Sequence, residues 1–294
     1  MTKFFGLDFA PLCIPMPRRL QTLAVLIQFT LLFQSLAFTM FVIVNPFMWP
    51  ITAIYFVYMH FDRSYENGGR PSKWFRNLPL WHYLAAYFPV TLHREQELDS
   101  SRKYILGYHP HGILSSGAVA AFATDALGVE DLFPGIQIHL LGMETFFRIP
   151  FYRDIAVLLG CSSVSKTSIK NILSKGPGKA CLIVVGGAQE ALLTKPELSD
   201  LVIKDRRGFV RMAMTTGADL VPVFGFGENQ IFDQAVPKEG SIFKKFQDKV
   251  KSSFGFTFPY FYGRNVFTYN FGLLPLRKPI NIIGKSSILQ KLIF

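Results

Sequence analysis

Charge is scarce in this sequence, and so is cysteine. Only 17% of the 294 residues are charged, well under the usual quarter, which excludes an ordinary water-facing surface over the whole chain. Acid is the scarcer sign: 20 Asp and Glu stand against 31 Lys and Arg, a formal net charge of +11. A basic, apolar chain fits three kinds of partner: nucleic acid, an anionic membrane, or a phosphorylated ligand. Half the residues are hydrophobic and 15% are aromatic, which favours the last two and excludes disorder over most of the length. Cys13, Cys161 and Cys181 are too few and too scattered for a disulfide framework or a CxxC metal site. They read as reduced thiols of a cytosol-facing chain. Internal repeats and low-complexity tracts are absent.

The longest gap in charge lies near the N-terminus. No Asp, Glu, Lys or Arg stands between Arg19 and Asp62, about 42 residues. As one helix that run would reach about 63 Å, twice the ~30 Å hydrocarbon core of a bilayer. Asn45-Pro46 lies in its middle, and the residue before a proline resists helical geometry. The run therefore reads as a membrane hairpin with helices over 20–44 and 47–61. The second is short for a crossing, with Trp49, Tyr55 and Tyr58 as interface residues. Arg18 and Arg19 precede it, and Arg63, Arg70, Lys73 and Arg76 follow it, so both flanks are expected in the cytosol. A cleaved signal peptide is excluded by the length of the run. A hairpin buried in a protein core is the other reading.

Charges return after Asp62. Asn67-Gly68-Gly69-Arg70-Pro71 reads as a turn, and the aromatic, basic stretch from Trp74 to Phe88 as an interfacial helix ending at Tyr87-Phe88-Pro89. From Tyr104 onward short apolar runs alternate with helical ones. Strands are predicted over 104–108, 180–185, 220–224 and 279–283, and helices over 113–124, 165–174 and 206–216. Pro222 argues that its strand is at an edge or irregular. The fold class expected is α/β, in four parts: a basic N-terminal segment 1–19, a membrane hairpin 20–61, an interfacial connector 62–103 and an α/β domain 104–294.

Four motifs carry chemistry. His109-Pro110-His111-Gly112 places two of the six histidines at a predicted strand end, where His serves as a general base. Gly112 permits close approach to a ligand and opens a helix whose free N–H groups face a developing negative charge. A plain tight turn and the start of a metal-hydrolase site are the alternatives. Metal is disfavoured, because only His139 follows and no second His/Asp cluster is present. In Gly186-Gly187-Ala188-Gln189-Glu190, a glycine pair leaves a buried strand, and Glu190 orients a histidine, binds a hydroxyl or complements a helix dipole. Lys204, Arg207 and Arg211, spaced i, i+3, i+7, put three cations on one helix face, suited to phosphate or to a solvated surface. Glu228 and Asn229 follow a strand through glycines, where they line an acceptor site or brace the histidine pair.

Together these motifs resemble the diacylglycerol acyltransferase type 2 family, which includes the monoacylglycerol and wax-alcohol acyltransferases. The likeness runs through Tyr87-Phe88-Pro89, the histidine tetrapeptide, Phe133-Pro134-Gly135, Pro150-Phe151-Tyr152-Arg153-Asp154, Gly186 through Leu192, Arg207-Gly208-Phe209-Val210-Arg211 and Phe226-Gly227-Glu228-Asn229, in order over nearly the whole chain. Phe9-Ala10-Pro11-Leu12 and Arg18-Arg19-Leu20-Gln21-Thr22 look closest to the monoacylglycerol branch.

The resemblance implies a multi-pass endoplasmic-reticulum enzyme with an acyltransferase-like α/β domain and cytosol-facing motifs. It would acylate 2-monoacylglycerol, or else diacylglycerol or a wax alcohol, with acyl-CoA as co-substrate. It implies no metal or prosthetic group and allows an oligomer with related enzymes. On this reading His111 is the general base, supported by His109 and Glu190. Gly112, Gly186 and Gly187 lie at the oxyanion, Lys204, Arg207 and Arg211 hold the coenzyme A phosphates, and Glu228 and Asn229 line the acceptor. The departures are Gly225, where family members often carry Ser, and the ending Gly284-Lys285-Ser286-Ser287 to Phe294, where the family continues. A shortened, inactive membrane partner of such an enzyme is the expectation from another class.

Overall fold

The structure, a computed structural model, describes residues 3–285 apart from 5, 12, 195–199, 235–239 and 255–259. The C-terminal residues 286–294, on which the expectation of a shortened tail rests, lie outside the described residues. Its helices are α1 (Met16–Val44), α2 (Trp49–Phe61), α3 (Pro79–Tyr87), α4 (Tyr152–Leu158), α5 (Lys166–Leu173), α6 (Gly187–Leu193), α7 (Gly208–Thr216) and α8 (Ile242–Phe254), with shorter turns between. The main sheet has seven strands: β1 (Thr91–Arg94), β2 (Tyr104–His109), β3 (Gln137–Gly142), β4 (Ser162–Ser163), β5 (Lys179–Val184), β6 (Asp219–Phe226) and β7 (Asn281–Gly284).

Their order across the sheet is β1-β7-β6-β2-β5-β3-β4. Five strands run parallel, and β7 turns antiparallel to β6 while pairing parallel with β1. Interior parallel strands bury both faces and so read as unbroken apolar runs. Every residue of β2 is buried, and its alternation sends successive side chains to two separate cores. Leu106 and Tyr108 enter a core shared with α1 and α3, and Ile105 faces one built with α5 and α7. Ser165 accepts the Ser168 N–H at 3.0 Å to start α5, and Gly217 in the left-handed region stops α7. The mixed α/β architecture expected from the sequence is present.

Several local expectations are corrected. The predicted helix over 113–124 begins only at Ser116 and widens into a π-turn over Val119–Ala123, because Gly112 and Ser115 take left-handed backbone. The stretch from Trp74 to Phe88 is no single interfacial helix: a one-turn helix ends at Arg76, and α3 buries Trp81, Leu84 and Tyr87 against α1. Pro222 lies in β6, an interior strand. Lys285 N–H donates to its carbonyl at 3.0 Å, so the missing proline donor costs only the last rung toward β7.

The two apolar helices break where Asn45-Pro46 predicts. Among the described residues, α1 alone, at 29 residues, is long and apolar enough to cross a membrane; α2, at 13 residues, reaches about 20 Å. Phe38, Phe41, Phe47, Ile51 and Ile54 are exposed along them. Tyr55 and Tyr58, expected at a membrane interface, turn instead toward α4. The Tyr55 hydroxyl donates to Asp154 at 2.5 Å and accepts from the Phe151 N–H at 2.7 Å, and its ring stacks on Phe151 at 4.7 Å. Buried Arg153 donates to the Met59 carbonyl at 2.8 Å and to the Asp62 carboxylate at 2.6 Å. The Pro150–Asp154 motif therefore clasps α2 to the α/β domain.

Candidate active site

The three polar motifs leave the carboxyl ends of three neighbouring strands, β6, β2 and β5, the usual seat of chemistry in α/β sheets. His109 is the last residue of β2, buried and turned to the α6 side, and the His109–Pro110 bond is cis. Glu190, 2% exposed on α6, gathers the turn around its carboxylate. Oε1 faces His109 Nδ1 at 3.3 Å and accepts from the Val202 N–H at 3.3 Å; Oε2 accepts from the His111 N–H at 2.9 Å. Burial raises the Glu190 pKa, but the donors from His109, His111 and Val202 outweigh it and hold the carboxyl below the ordinary range. An ionised carboxylate only accepts, so His109 carries its proton on Nδ1. Its Nε2 is buried and has no partner among the described residues.

Gly186 is required by this arrangement. A Cβ there would stand 1.7 Å from Glu190 Oε2 and 2.4 Å from Glu190 Cβ. Gly187 takes a positive φ of 61° as α6 opens.

The His111 ring is half-buried. Its Nδ1–H donates to the Gly112 carbonyl at 3.0 Å, which fixes the tautomer and leaves the Nε2 lone pair as the basic atom. Burial lowers its pKa. The Gly112 bond and the Glu190 charge oppose this, while His109 and Arg206 reinforce it, so the ring is neutral near pH 7.

Glu228 lies on the other face of β2, wholly buried. Oε2 accepts from the Tyr108 hydroxyl at 2.7 Å and from the Gly117 N–H at 3.0 Å. Burial pushes its carboxyl up to about 7 against the pull of those donors. A Cβ on Gly112 would meet Glu228 Cγ at 2.8 Å, so Glu228 packs under the tetrapeptide turn rather than on a histidine ring. The helix-start N–H groups, expected to face substrate, are thus partly taken: that of Gly117 is spent on Glu228. Asn229 is buried in the same turn. At Gly225 a Cβ would fall 2.1 Å from the Tyr108 hydroxyl, so the tyrosine fills the space that a serine would occupy.

The basic motif is rearranged. Lys204 precedes α7 in a turn, Arg207 caps it and only Arg211 lies on it; all three are exposed and do not share a helix face at i, i+3, i+7. Arg206 is the cation that turns inward. Its Nη2 donates to the Gly186 carbonyl at 3.2 Å, and its Nε is buried without a partner among the described residues. The sequence reading passed over Arg206, Tyr108 and Val202. Tyr108, next to His109 in a strand, carried one signal: alternation sends it to the opposite face.

A family model described as diacylglycerol acyltransferase matches residues 41–292. The chain is 47% identical over 281 residues to "Diacylglycerol O-acyltransferase 2A" of Umbelopsis ramanniana, covering 94% of this chain and 79% of that protein. It is 43% identical to "Diacylglycerol O-acyltransferase 2" of Dictyostelium discoideum, covering 97% and 87%. To "2-acylglycerol O-acyltransferase 1" of Bos taurus it is 44% identical, covering 95% and 85%. No solved structure matches.

Proposed function

The chain belongs to the diacylglycerol acyltransferase family, and we propose that it moves a fatty acyl group from coenzyme A to the free hydroxyl of 2-monoacylglycerol, giving diacylglycerol. It is an acylglycerol O-acyltransferase. The relatives divide between two acceptors, and those named for diacylglycerol acylation favour that alcohol as a second acceptor.

The observation that carries the mechanism is the neutral His111 ring, tethered through Nδ1 with Nε2 left basic. His111 Nε2 takes the proton of the acceptor hydroxyl as its oxygen attacks the thioester carbonyl carbon. The carbon–sulfur bond then breaks, and the coenzyme A thiolate receives that proton from the imidazolium. Glu190 favours the transient imidazolium by its charge and holds the His111 backbone, while His109 packs behind it as the carboxylate's partner. Arg206 and the backbone at Gly186-Gly187 supply positive charge to the oxyanion. Lys204, Arg207 and Arg211 form an exposed basic surface for the coenzyme A phosphates, and we assign Asn229 to the acceptor side. The reading needs acyl-CoA as co-substrate and no prosthetic group or metal. The exposed apolar faces of α1 and α2 support a membrane location, which we read as the endoplasmic reticulum with both flanks and the α/β domain in the cytosol.

The test is acyl transfer in microsomes from cells lacking their own neutral-lipid acyltransferases. Labelled oleoyl-CoA is offered with 2-monoacylglycerol, diacylglycerol or fatty alcohol. Diacylglycerol is the expected product, reduced about 10²–10⁴-fold by His111→Ala. His111→Ala retaining more than about a tenth of the activity removes its role as base. No product from any acceptor favours an inactive membrane partner.

A further inference from the structure

A second basic cluster lies at the foot of α1. Arg277 stacks its guanidinium over the Tyr87 ring at 4.1 Å, and Arg264 covers Tyr269 at 4.2 Å. Arg277 also donates to Gln21 Oε1 and Thr22 Oγ1 in the first turns of α1. Arg264 is buried at 8% exposure, whereas Arg18 is exposed. Among the described residues, none of these three arginines has an ion-pair partner. The charged and phenolic groups that act most strongly on Arg277 are Tyr87, Arg18, Arg264 and Tyr269. Burial, together with repulsion from Arg18 and Arg264, lowers Arg277 to about 10.

Like charges held together by aromatic stacking, with no ion-pair partner among the described residues, are suited to receive an anion. The local helix adds to this. The first turn of α1 holds Arg18 and Arg19 and no acid, so two cations sit at the positive end of the macrodipole. An anion there relieves both strains, and guanidinium forks match phosphate oxygens in pairs.

The surroundings are apolar. The loop that carries Arg264 leaves Phe267, Phe271 and Leu273 exposed by 75%, 62% and 71%, and its Thr268 bridges to Phe9 of the N-terminal segment. Phosphate-binding cations beside outward aromatic and aliphatic groups, at the start of a bilayer-length helix, match the layer where headgroups meet acyl chains.

We propose that Arg18, Arg264 and Arg277 form a binding site for the phosphate of a phosphate ester, either an anionic phospholipid headgroup or the ribose 3′-phosphate of a coenzyme A. The lipid source rests on the bilayer placement of α1 given above; the soluble source does not. The site's residues are other than the exposed Lys204, Arg207 and Arg211.

The test uses the full chain in neutral detergent and two soluble probes, dihexanoyl phosphatidic acid and 3′,5′-ADP, titrated calorimetrically. Arg18→Gln and Arg277→Gln each raise the Kd of at least one probe roughly tenfold, the loss of one hydrogen bond to a charged group. The exposed control Arg63→Gln leaves both unchanged, and salt weakens binding. An effect on the phosphatidic acid alone assigns the site to a headgroup; an effect on 3′,5′-ADP alone assigns it to the coenzyme. Kd values within twofold of wild type for both probes in both variants, with melting unchanged, overturn the proposal. Extraction of wild-type membranes with alkaline carbonate reports the bilayer reading separately. Release of the chain removes the lipid source and leaves the 3′,5′-ADP arm to decide.

Discussion

Replacing Glu190 by Gln tests the centre of the site with almost no change in shape. The carboxylate accepts from three donors, at His109 Nδ1, Val202 N–H and His111 N–H, and a carboxamide has only one oxygen for them. With its NH2 at the Oε2 position, it confronts the His111 N–H. With its NH2 at the Oε1 position, it confronts the Val202 N–H and forces His109 to move its proton to Nε2. Either way a buried backbone donor loses its acceptor, at about 1–3 kcal/mol. The negative charge that favours the His111 imidazolium is lost in both cases. For a chain of this length, the expected outcome is a melting midpoint several degrees lower at pH 7. The transfer assay should show kcat reduced about 10–100-fold, one charge-assisted hydrogen bond's worth, with the Michaelis constants little changed. The difference in stability depends on pH. Glu190 titrates below its unfolded value, so its contribution is present above about pH 4.3 and fades as pH falls through the depressed folded value. The two proteins should therefore converge in acid. A kcat within threefold of wild type together with an unchanged midpoint at pH 7 would refute the reasoning.

Gly186→Ala should act through the same carboxylate. Its Cβ cannot coexist with Glu190 as placed, so activity should fall to the level of Glu190→Ala, and the double variant measured alongside should be no worse than either. Glu228 gives the opposite pH signature. Its folded value of about 7 lies above the unfolded one, so its stabilisation is complete below about pH 4.3 and lost as pH rises through 7. Glu228→Gln, melted across that range, should flatten the slope, and an unchanged slope would count against the buried acid. Arg206→Gln should lower kcat for every acyl-CoA about 10²–10³-fold, as loss of an oxyanion donor does, with methylguanidine restoring part of the rate. An effect confined to the Michaelis constant for acyl-CoA would assign Arg206 to binding instead.

Much of this was legible because it rests on local rules. The charge-free run and Asn45-Pro46 marked two apolar helices, short apolar runs marked β2 and β5 as strands, and that of β5 marked it as buried. The tetrapeptide, the glycine pair and Glu228 were placed at strand ends, and the topology makes those ends neighbours. What remained hidden depends on contacts distant in the chain. Pro222 looks like an edge residue until β7 stops one rung short of needing its donor. Trp81 and Tyr87 look interfacial until α1 covers them. Arg206 differs from Arg207 by one position, and only the turn before α7 decides which guanidinium reaches Gly186. The i, i+3, i+7 spacing misled because it assumed a helix through Lys204, where the chain is still a turn. The tyrosines of α2 are a related case: a tyrosine at an interface and one hydrogen-bonded to a half-buried aspartate look alike in sequence.

The Arg153 clasp also sets an order of events in biosynthesis. Its acceptors, Met59 and Asp62, leave the ribosome about ninety residues before it does. The apolar pair is therefore delivered to its destination first, and the guanidinium arrives later as the check that it got there. A chain whose α2 has been misrouted presents a stranded cation beside exposed Phe151, which is the kind of surface a chaperone or protease recognises.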